Sequence, residues 1–136
     1  MSGAREMAAA KISRRWPAAV LALGLLLGSA AAAADPLGDE ARRAGKPLIV
    51  DFGMTRCVQC IEQAKTMEQL KQTIGDRVLL KFVHVGKETE LADAYKVLLI
   101  PTLVFFDAQG REVFRNVGQM KHDEIVAKAR ELGLLN

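Results

Sequence analysis

Cysteine and histidine are scarce in this chain, which has two of each among its 136 residues. A disulfide that staples a fold usually closes a long loop, because its stabilising effect grows with loop length. Cys57 and Cys60 are three positions apart, so a bond between them closes almost no loop. His84 and His122 are both distant from this pair in sequence, and no His-rich or Met-rich tract is present to complete a metal site. The scarcity therefore favours a reactive role for the two cysteines over a structural one.

The chain also lacks an excess of either charge once its first 34 residues are set aside. Residues 1–34 hold four of the 19 basic residues and one of the 16 acidic residues, so residues 35–136 carry 15 of each. Domains that bind nucleic acid or a membrane surface usually carry a basic excess. The balance therefore predicts neither kind of partner.

Residues 1–34 have the layout of a secretory signal peptide. Four basic residues lie within the first 15, an apolar run follows at 18–28, and the alanines at 32–34 fit an A-x-A cleavage site. The alternative is an uncleaved membrane anchor, but the 17 residues of 18–34 fall short of the roughly 20 apolar residues that a span needs. We therefore expect a cleaved leader, a periplasmic location and one mature domain over residues 35–136.

Strand-like apolar runs alternate with helical periodicities along residues 35–136. The predicted strands are 48–52, 78–85, 102–106 and 112–117, and the predicted helices are 39–44, 61–74, 88–96 and 123–132. Near-continuous apolar strands separated by helices indicate an α/β fold whose sheet is covered on both faces. We expect parallel pairs among the first three strands, because helices connect them, and an antiparallel last strand, because a turn at 107–110 makes a hairpin.

The cysteine pair lies where a predicted buried strand leads into a predicted helix. A thiolate at a helix N-terminus faces unpaired backbone N–H groups and the positive end of the helix dipole, both of which favour its charge. Cys57 is therefore the expected nucleophile. Cys60 lies one helical turn further on, within reach of the first sulfur, and can resolve a mixed disulfide.

Three segments of the chain resemble the thioredoxin family. They are residues 48–52, the Cys-x-x-Cys of residues 57–60, and residues 100–106, which begin with Ile-Pro-Thr. The resemblance extends over about residues 46–134, nearly the whole of the predicted mature chain. It implies a thioredoxin fold, with a central mixed sheet of about four strands and helices on both faces.

The resemblance also implies an acid–lysine pair beneath the cysteines. Asp51 matches the family's buried acid, and Lys81 matches the lysine that accompanies that acid. Burial raises the pKa of a carboxyl group, whereas a neighbouring ammonium lowers it. We expect burial to prevail, because a lysine side chain tends to extend its charge toward solvent. Asp51 would then exchange a proton with Cys60.

A further implication of the resemblance concerns substrate binding. Pro101 matches the family's cis-proline, whose loop lies beside the cysteines. A cis bond there exposes the backbone of the preceding residue to β-type pairing with an extended substrate chain. Ile100, Pro101 and Thr102 are therefore the expected substrate-binding residues.

Several positions depart from the thioredoxin pattern. Gly53 occurs where an aromatic residue is usual, and Lys65 replaces the proline that kinks the helix after the cysteines. Val58 and the segment 105–110 are more similar to the C-terminal thioredoxin domain of the periplasmic thiol:disulfide interchange protein, which is a reductant. These similarities favour a reducing direction.

The leading hypothesis is an exported thiol–disulfide oxidoreductase that works as a monomer without a cofactor. Its expected partners are exported proteins with disulfides or oxidised cysteines, and a membrane electron donor. The alternative is a thioredoxin-fold module that carries copper or zinc, or docks a partner, without turnover, since a dithiol also suits soft metals.

Overall fold

Four α-helices and four β-strands make up residues 34–136, the part of the chain that the computed structural model describes. The helices are α1 (Pro36–Ala44), α2 (Val58–Ile74), α3 (Thr89–Ala94) and α4 (His122–Glu131), and a 3₁₀ turn at Gly75–Arg77 follows α2. The strands are β1 (Leu48–Gly53), β2 (Leu79–His84), β3 (Thr102–Phe106) and β4 (Glu112–Val117).

The strands form one mixed sheet in the order β2-β1-β3-β4. β1 and β2 pair in parallel as predicted, but β3 pairs antiparallel with β1, so the expectation of parallel pairing for the third strand is wrong. α3 has six residues and spans only about 9 Å, whereas a six-residue strand spans about 20 Å. α3 is too short to carry the chain back to the end of the sheet where β1 and β2 begin. β3 therefore begins at the end where β2 stops.

Apolar side chains cover both faces of the sheet. On one face, Ile49 and Leu103 pack with residues of α2 and α4. On the other face, Val50 packs with Leu37 and Ala41 of α1. Successive side chains of a strand alternate between faces, so the two positions next to each other in β1 serve different cores. This alternation places Ile49 and Asp51 on the face of the sheet that α2 covers.

The first turn of α1 is tied closely to the rest of the domain. The Tyr95 hydroxyl donates a hydrogen bond to Asp35 and accepts one from the Leu37 N–H at 2.9 Å. Burial and the bond to Asp35 together raise the pKa of Tyr95. Gly38 lies against the β-turn glycine Gly110, and a Cβ at Gly38 would be 2.3 Å from the Gly110 carbonyl oxygen. Only glycine therefore fits this contact without a shift of the backbone.

The predicted signal peptide, residues 1–34, lies outside the described residues except for its last position. Its cleavage stays a prediction. Within residues 34–136, every helix is too short or too polar to cross a membrane.

Candidate active site

Cys57 occupies the N-cap of α2, immediately after the loop that leaves β1. Its backbone is extended, with φ −100° and ψ 122°, and its sulfur accepts a hydrogen bond from the Cys60 N–H at 3.2 Å. The side chain of an N-cap residue normally satisfies a free helix N–H in this way, and an anionic acceptor is favoured there by the helix dipole. The half-buried Cys57 sulfur is thus held at the N-terminus of α2 and remains open to a substrate.

Cys60 differs sharply from Cys57 in its surroundings. Its side chain is 1% exposed. Burial is the main cause that raises the pKa of the Cys60 thiol to about 11. The hydrogen bond and negative charge of Cys57 and the charge of Asp51 add to this increase, and a backbone hydrogen bond with Met54 opposes it. Both cysteines are free thiols. The arrangement is that of an accessible nucleophile and a deeper thiol that needs help to lose its proton.

Asp51 lies beneath α2 as an isolated carboxyl group. It is 1% exposed, and within residues 34–136 neither of its oxygens has a hydrogen-bond partner. Burying a carboxylate without a partner is costly, so the neutral acid is favoured. Burial raises the pKa of Asp51 to about 7. The group can therefore both accept and donate a proton near neutral pH.

Lys81 lines the same hollow as Asp51 but forms no pair with it, so the predicted acid–lysine pair is wrong. In the parallel β1–β2 register Lys81 lies opposite Val50, and Phe82 lies opposite Asp51. The Lys81 ammonium is 2.6 Å from a Glu40 carboxylate oxygen of α1, on the other face of the sheet. The residue beside the buried acid is therefore apolar.

The Ile100–Pro101 loop reaches the same end of the sheet as the cysteine pair. Its Ile100–Pro101 peptide bond is cis, and the Thr102 hydroxyl donates to the Leu99 carbonyl at 2.7 Å. Thr102 lies opposite Phe52 at the end of β1, from which the chain continues to the cysteines. The fold thus brings the predicted substrate-binding segment and the dithiol to one edge of the sheet.

Two neighbouring hollows lie along α2 at this site. One, of about 390 Å³, is lined by Cys60 and Met54, and the other, of about 450 Å³, is lined by Asp51. Phe82 lines both of them. The sequence analysis missed Phe82, although the glycine at position 53, where an aromatic residue is usual, indicated that aromatic packing near the cysteines had changed.

His122 is bonded to residues away from the dithiol. The two ring nitrogens of His122 each lie 2.8 Å from a side-chain oxygen, one of Thr73 and one of Asp123. Within residues 34–136, no group of three or more His, Cys, Asp or Glu side chains is arranged to hold a metal ion. A zinc site built on Cys57 and Cys60 would need its remaining ligands from elsewhere.

The family described as a thioredoxin-like domain matches residues 38–133. This match covers well over half of the 136 residues, and the chain belongs to that family. The α/β thioredoxin fold predicted from the sequence is thereby confirmed.

Similar proteins include thiol:disulfide interchange proteins and thioredoxins. The thiol:disulfide interchange protein DsbD of Salmonella typhi is 37% identical over 78 residues, which are 53% of this chain and 14% of that protein. The chain therefore spans only a small part of the interchange protein. The thioredoxin of Alicyclobacillus acidocaldarius subsp. acidocaldarius is 26% identical over 93 residues, which are 68% of this chain and 88% of that protein.

Solved thioredoxin structures share the fold of this chain. The thioredoxin of Fasciola hepatica superimposes with a TM-score of 0.60 at 29% identity, over 68% of this chain and 85% of that chain. Chloroplastic thioredoxin z superimposes with a TM-score of 0.64 at 22% identity, over 70% of this chain and 86% of that chain. The similarity to thioredoxin z concerns the fold alone.

Proposed function

We propose that this chain reduces disulfides in exported proteins through Cys57 and Cys60. The observation that carries the proposal is the difference between the two sulfurs. Cys57 is half-buried at the N-terminus of a 17-residue helix, and Cys60 is fully buried one turn further on. A thiol–disulfide exchange needs this division between an attacking thiol and a resolving thiol.

The first step is the attack of the Cys57 thiolate on one sulfur of the substrate disulfide. A bond forms between Cys57 and that sulfur, the substrate S–S bond breaks, and the departing substrate sulfur takes up a proton. The backbone N–H groups at the start of α2 stabilise the attacking thiolate until the bond forms. The product of this step is a mixed disulfide.

The second step is the attack of Cys60 on the Cys57 sulfur. Cys60 loses its proton, the Cys57–Cys60 bond forms, and the second substrate thiol is released, so that two electrons have passed to the substrate. Because the pKa of the Cys60 thiol is raised to about 11, little thiolate exists at neutral pH without a base. Asp51, with its pKa near 7, supplies that base directly or through a water molecule.

The similarity to the interchange protein supports a reducing direction and a periplasmic location. In this scheme the chain is exported by the leader at 1–34, and a membrane-bound dithiol donor returns the Cys57–Cys60 disulfide to the reduced state. The segment formed by Ile100, Pro101 and Thr102 holds an extended substrate chain beside Cys57 by backbone pairing.

Trapping of mixed disulfides tests this function. The Cys60→Ser protein, incubated with a disulfide-containing protein substrate, is expected to accumulate a covalent complex through Cys57, because the resolving step is absent. The matched Cys57→Ser protein should trap little, since its remaining thiol is buried and largely protonated. Faster alkylation of Cys60 than of Cys57 near neutral pH, or equal trapping by both variants, would contradict the assignment.

Turnover separates the proposal from the metal-carrier alternative. The wild-type protein should reduce the substrate catalytically when a dithiol donor is supplied. Stoichiometric retention of copper or zinc by the purified protein, without reduction of any disulfide substrate, would replace the oxidoreductase proposal by a carrier role.

A further inference from the structure

Gly53 and Phe82 form an unusual contact next to the buried thiol. A Cβ placed on Gly53 would lie 3.2 Å from the Phe82 Cε2 atom and 3.3 Å and 3.5 Å from the Cβ and Sγ atoms of Cys60. The space that a side chain at position 53 would fill is therefore taken by the edge of the Phe82 ring on one side and by Cys60 on the other. The absent side chain allows the ring to approach the thiol.

Phe82 is also the cross-strand neighbour of the buried acid. It lies opposite Asp51 in the parallel register of β1 and β2, and side chains opposite each other in neighbouring strands share a face. β2 is an edge strand of the sheet, so the space beyond Asp51 on this side is closed by no further strand within residues 34–136. The Phe82 side chain, 44% exposed, lies at that edge and lines both the hollow beside Asp51 and the hollow beside Cys60.

The charged groups around Asp51 leave it unpaired. Its hollow is lined by Glu68 and Lys71 of α2, Asp76 of the 3₁₀ turn and Lys81 of β2, and Cys60 lies on the neighbouring hollow. None of them donates a hydrogen bond to Asp51.

Phe82 is itself held in place by aromatic packing. The His84 ring, two residues along β2, packs edge-on against the Phe82 ring with the centroids 6.3 Å apart. The Phe82 ring is thus fixed by Gly53 on one side and by His84 along the strand.

We propose that Phe82 is a positioning residue, which covers Asp51 and Cys60 with an apolar ring at the sheet edge and keeps a charged side chain out of the position next to this acid–thiol pair. The inference rests on the proposed function of the dithiol, because a proton passes between the two groups only during exchange. An apolar ring at this place leaves Asp51 as a neutral-range base. A cationic side chain here would instead hold Asp51 as a weakly basic carboxylate.

The test is an NMR titration of the Asp51 carboxyl carbon in the reduced protein, with Asp51→Asn used to assign the signal. In Phe82→Lys the midpoint should fall by about one to three pH units, the range that an opposite charge nearby produces. The conservative variant Phe82→Leu should keep the wild-type midpoint, because it keeps the apolar cover. Phe114→Leu is the matched control, since Phe114 lies on β4 at the opposite edge of the sheet.

Single-turnover kinetics provide the second measurement. The resolving step should accelerate with rising pH through the Asp51 midpoint, and in Phe82→Lys this rise should begin at correspondingly lower pH. An unchanged Asp51 midpoint in the folded Phe82→Lys protein would overturn the positioning role, whatever the activity. If the Asp51 midpoint falls in Phe82→Lys but the wild-type protein reduces no disulfide, the result would support the positioning role of Phe82. It would contradict the proposed function instead.

Discussion

At the scale of single residues, Asp51 links the stability of the domain to its chemistry. Its pKa is about 7 in the folded protein, against an ordinary value of 3.8. Between these two pH values Asp51 holds its proton in the folded state but has lost it in the unfolded state. The free energy of unfolding therefore falls as the pH rises through this window. Below the window the acid is neutral in both states and carries no penalty.

We expect Asp51→Asn to remove this pH dependence, because asparagine does not ionise. Relative to the wild type, the free energy of unfolding of the variant should increase between pH 4 and pH 7 by up to about 4 kcal/mol, at about 1.4 kcal/mol per pH unit, and should then level off. Urea unfolding at intervals across this range measures the difference. A difference in the free energy of unfolding that stays constant across this pH range would show that the pKa of Asp51 is not raised by folding.

The same substitution should slow the resolving step. Loss of a general base costs roughly 10²–10⁴-fold at most, and less where water substitutes. The attack by Cys57, which needs no proton transfer to Asp51, should keep its rate. Stopped-flow measurement of mixed-disulfide formation and decay separates the two steps, and equal slowing of both would point to a structural defect in the variant.

At the scale of secondary-structure elements, the contact between α1 and the β3–β4 turn is limited by glycine. We expect Gly38→Ala to destabilise the domain by about 1–3 kcal/mol, because the new methyl group would overlap the Gly110 carbonyl and the cap residue Asp35. The control is Gly86→Ala, where the nearest atoms are a His84 side-chain carbon at 3.3 Å and other side-chain atoms that can move. Equal melting temperatures for the two variants would contradict the close packing of α1.

Most elements were predictable from the sequence because each has a local cause. β3 and β4 begin and end at the predicted residues, 102–106 and 112–117. The prediction started α1 three residues late, since the cap at Asp35 and the proline after it were not recognised. Apolar runs, turn glycines and capping side chains are all readable within a few neighbouring positions.

The errors concern relations between elements. The direction of β3 depends on the end of the sheet at which the chain leaves the short helix α3, and no local sequence pattern indicates that end. The choice of Lys81 over Phe82 was an error of one residue in register, and in a strand one residue is the difference between the two faces. The cysteine pair and the acid were found because their chemistry is expressed in single side chains and their spacing, whereas the neighbour of the acid depends on pairing between distant segments.

At the scale of the whole molecule, the proposed reducing role predicts a low redox potential for the Cys57–Cys60 couple. A strongly oxidising dithiol owes its potential to a stabilised reduced form. Here burial raises the pKa of Cys60 to about 11, so the reduced form gains no second stabilised thiolate. We expect the potential of the couple to lie nearer thioredoxin's roughly −270 mV than the roughly −120 mV of a strong oxidant. Equilibration with thioredoxin of known potential measures it, and a value near −120 mV would contradict the reducing role.

The ion pair between Lys81 and Glu40 has a consequence for the solubility of the protein. Within residues 34–136 no strand pairs with the outer side of β2, and an unpaired strand edge is a template for pairing with another molecule. Lys81 lies in the middle of that strand, and its ammonium is paired with Glu40 of α1. We therefore expect this lysine, which the sequence assigned to the chemistry of the acid, to disfavour pairing of another strand with β2 instead.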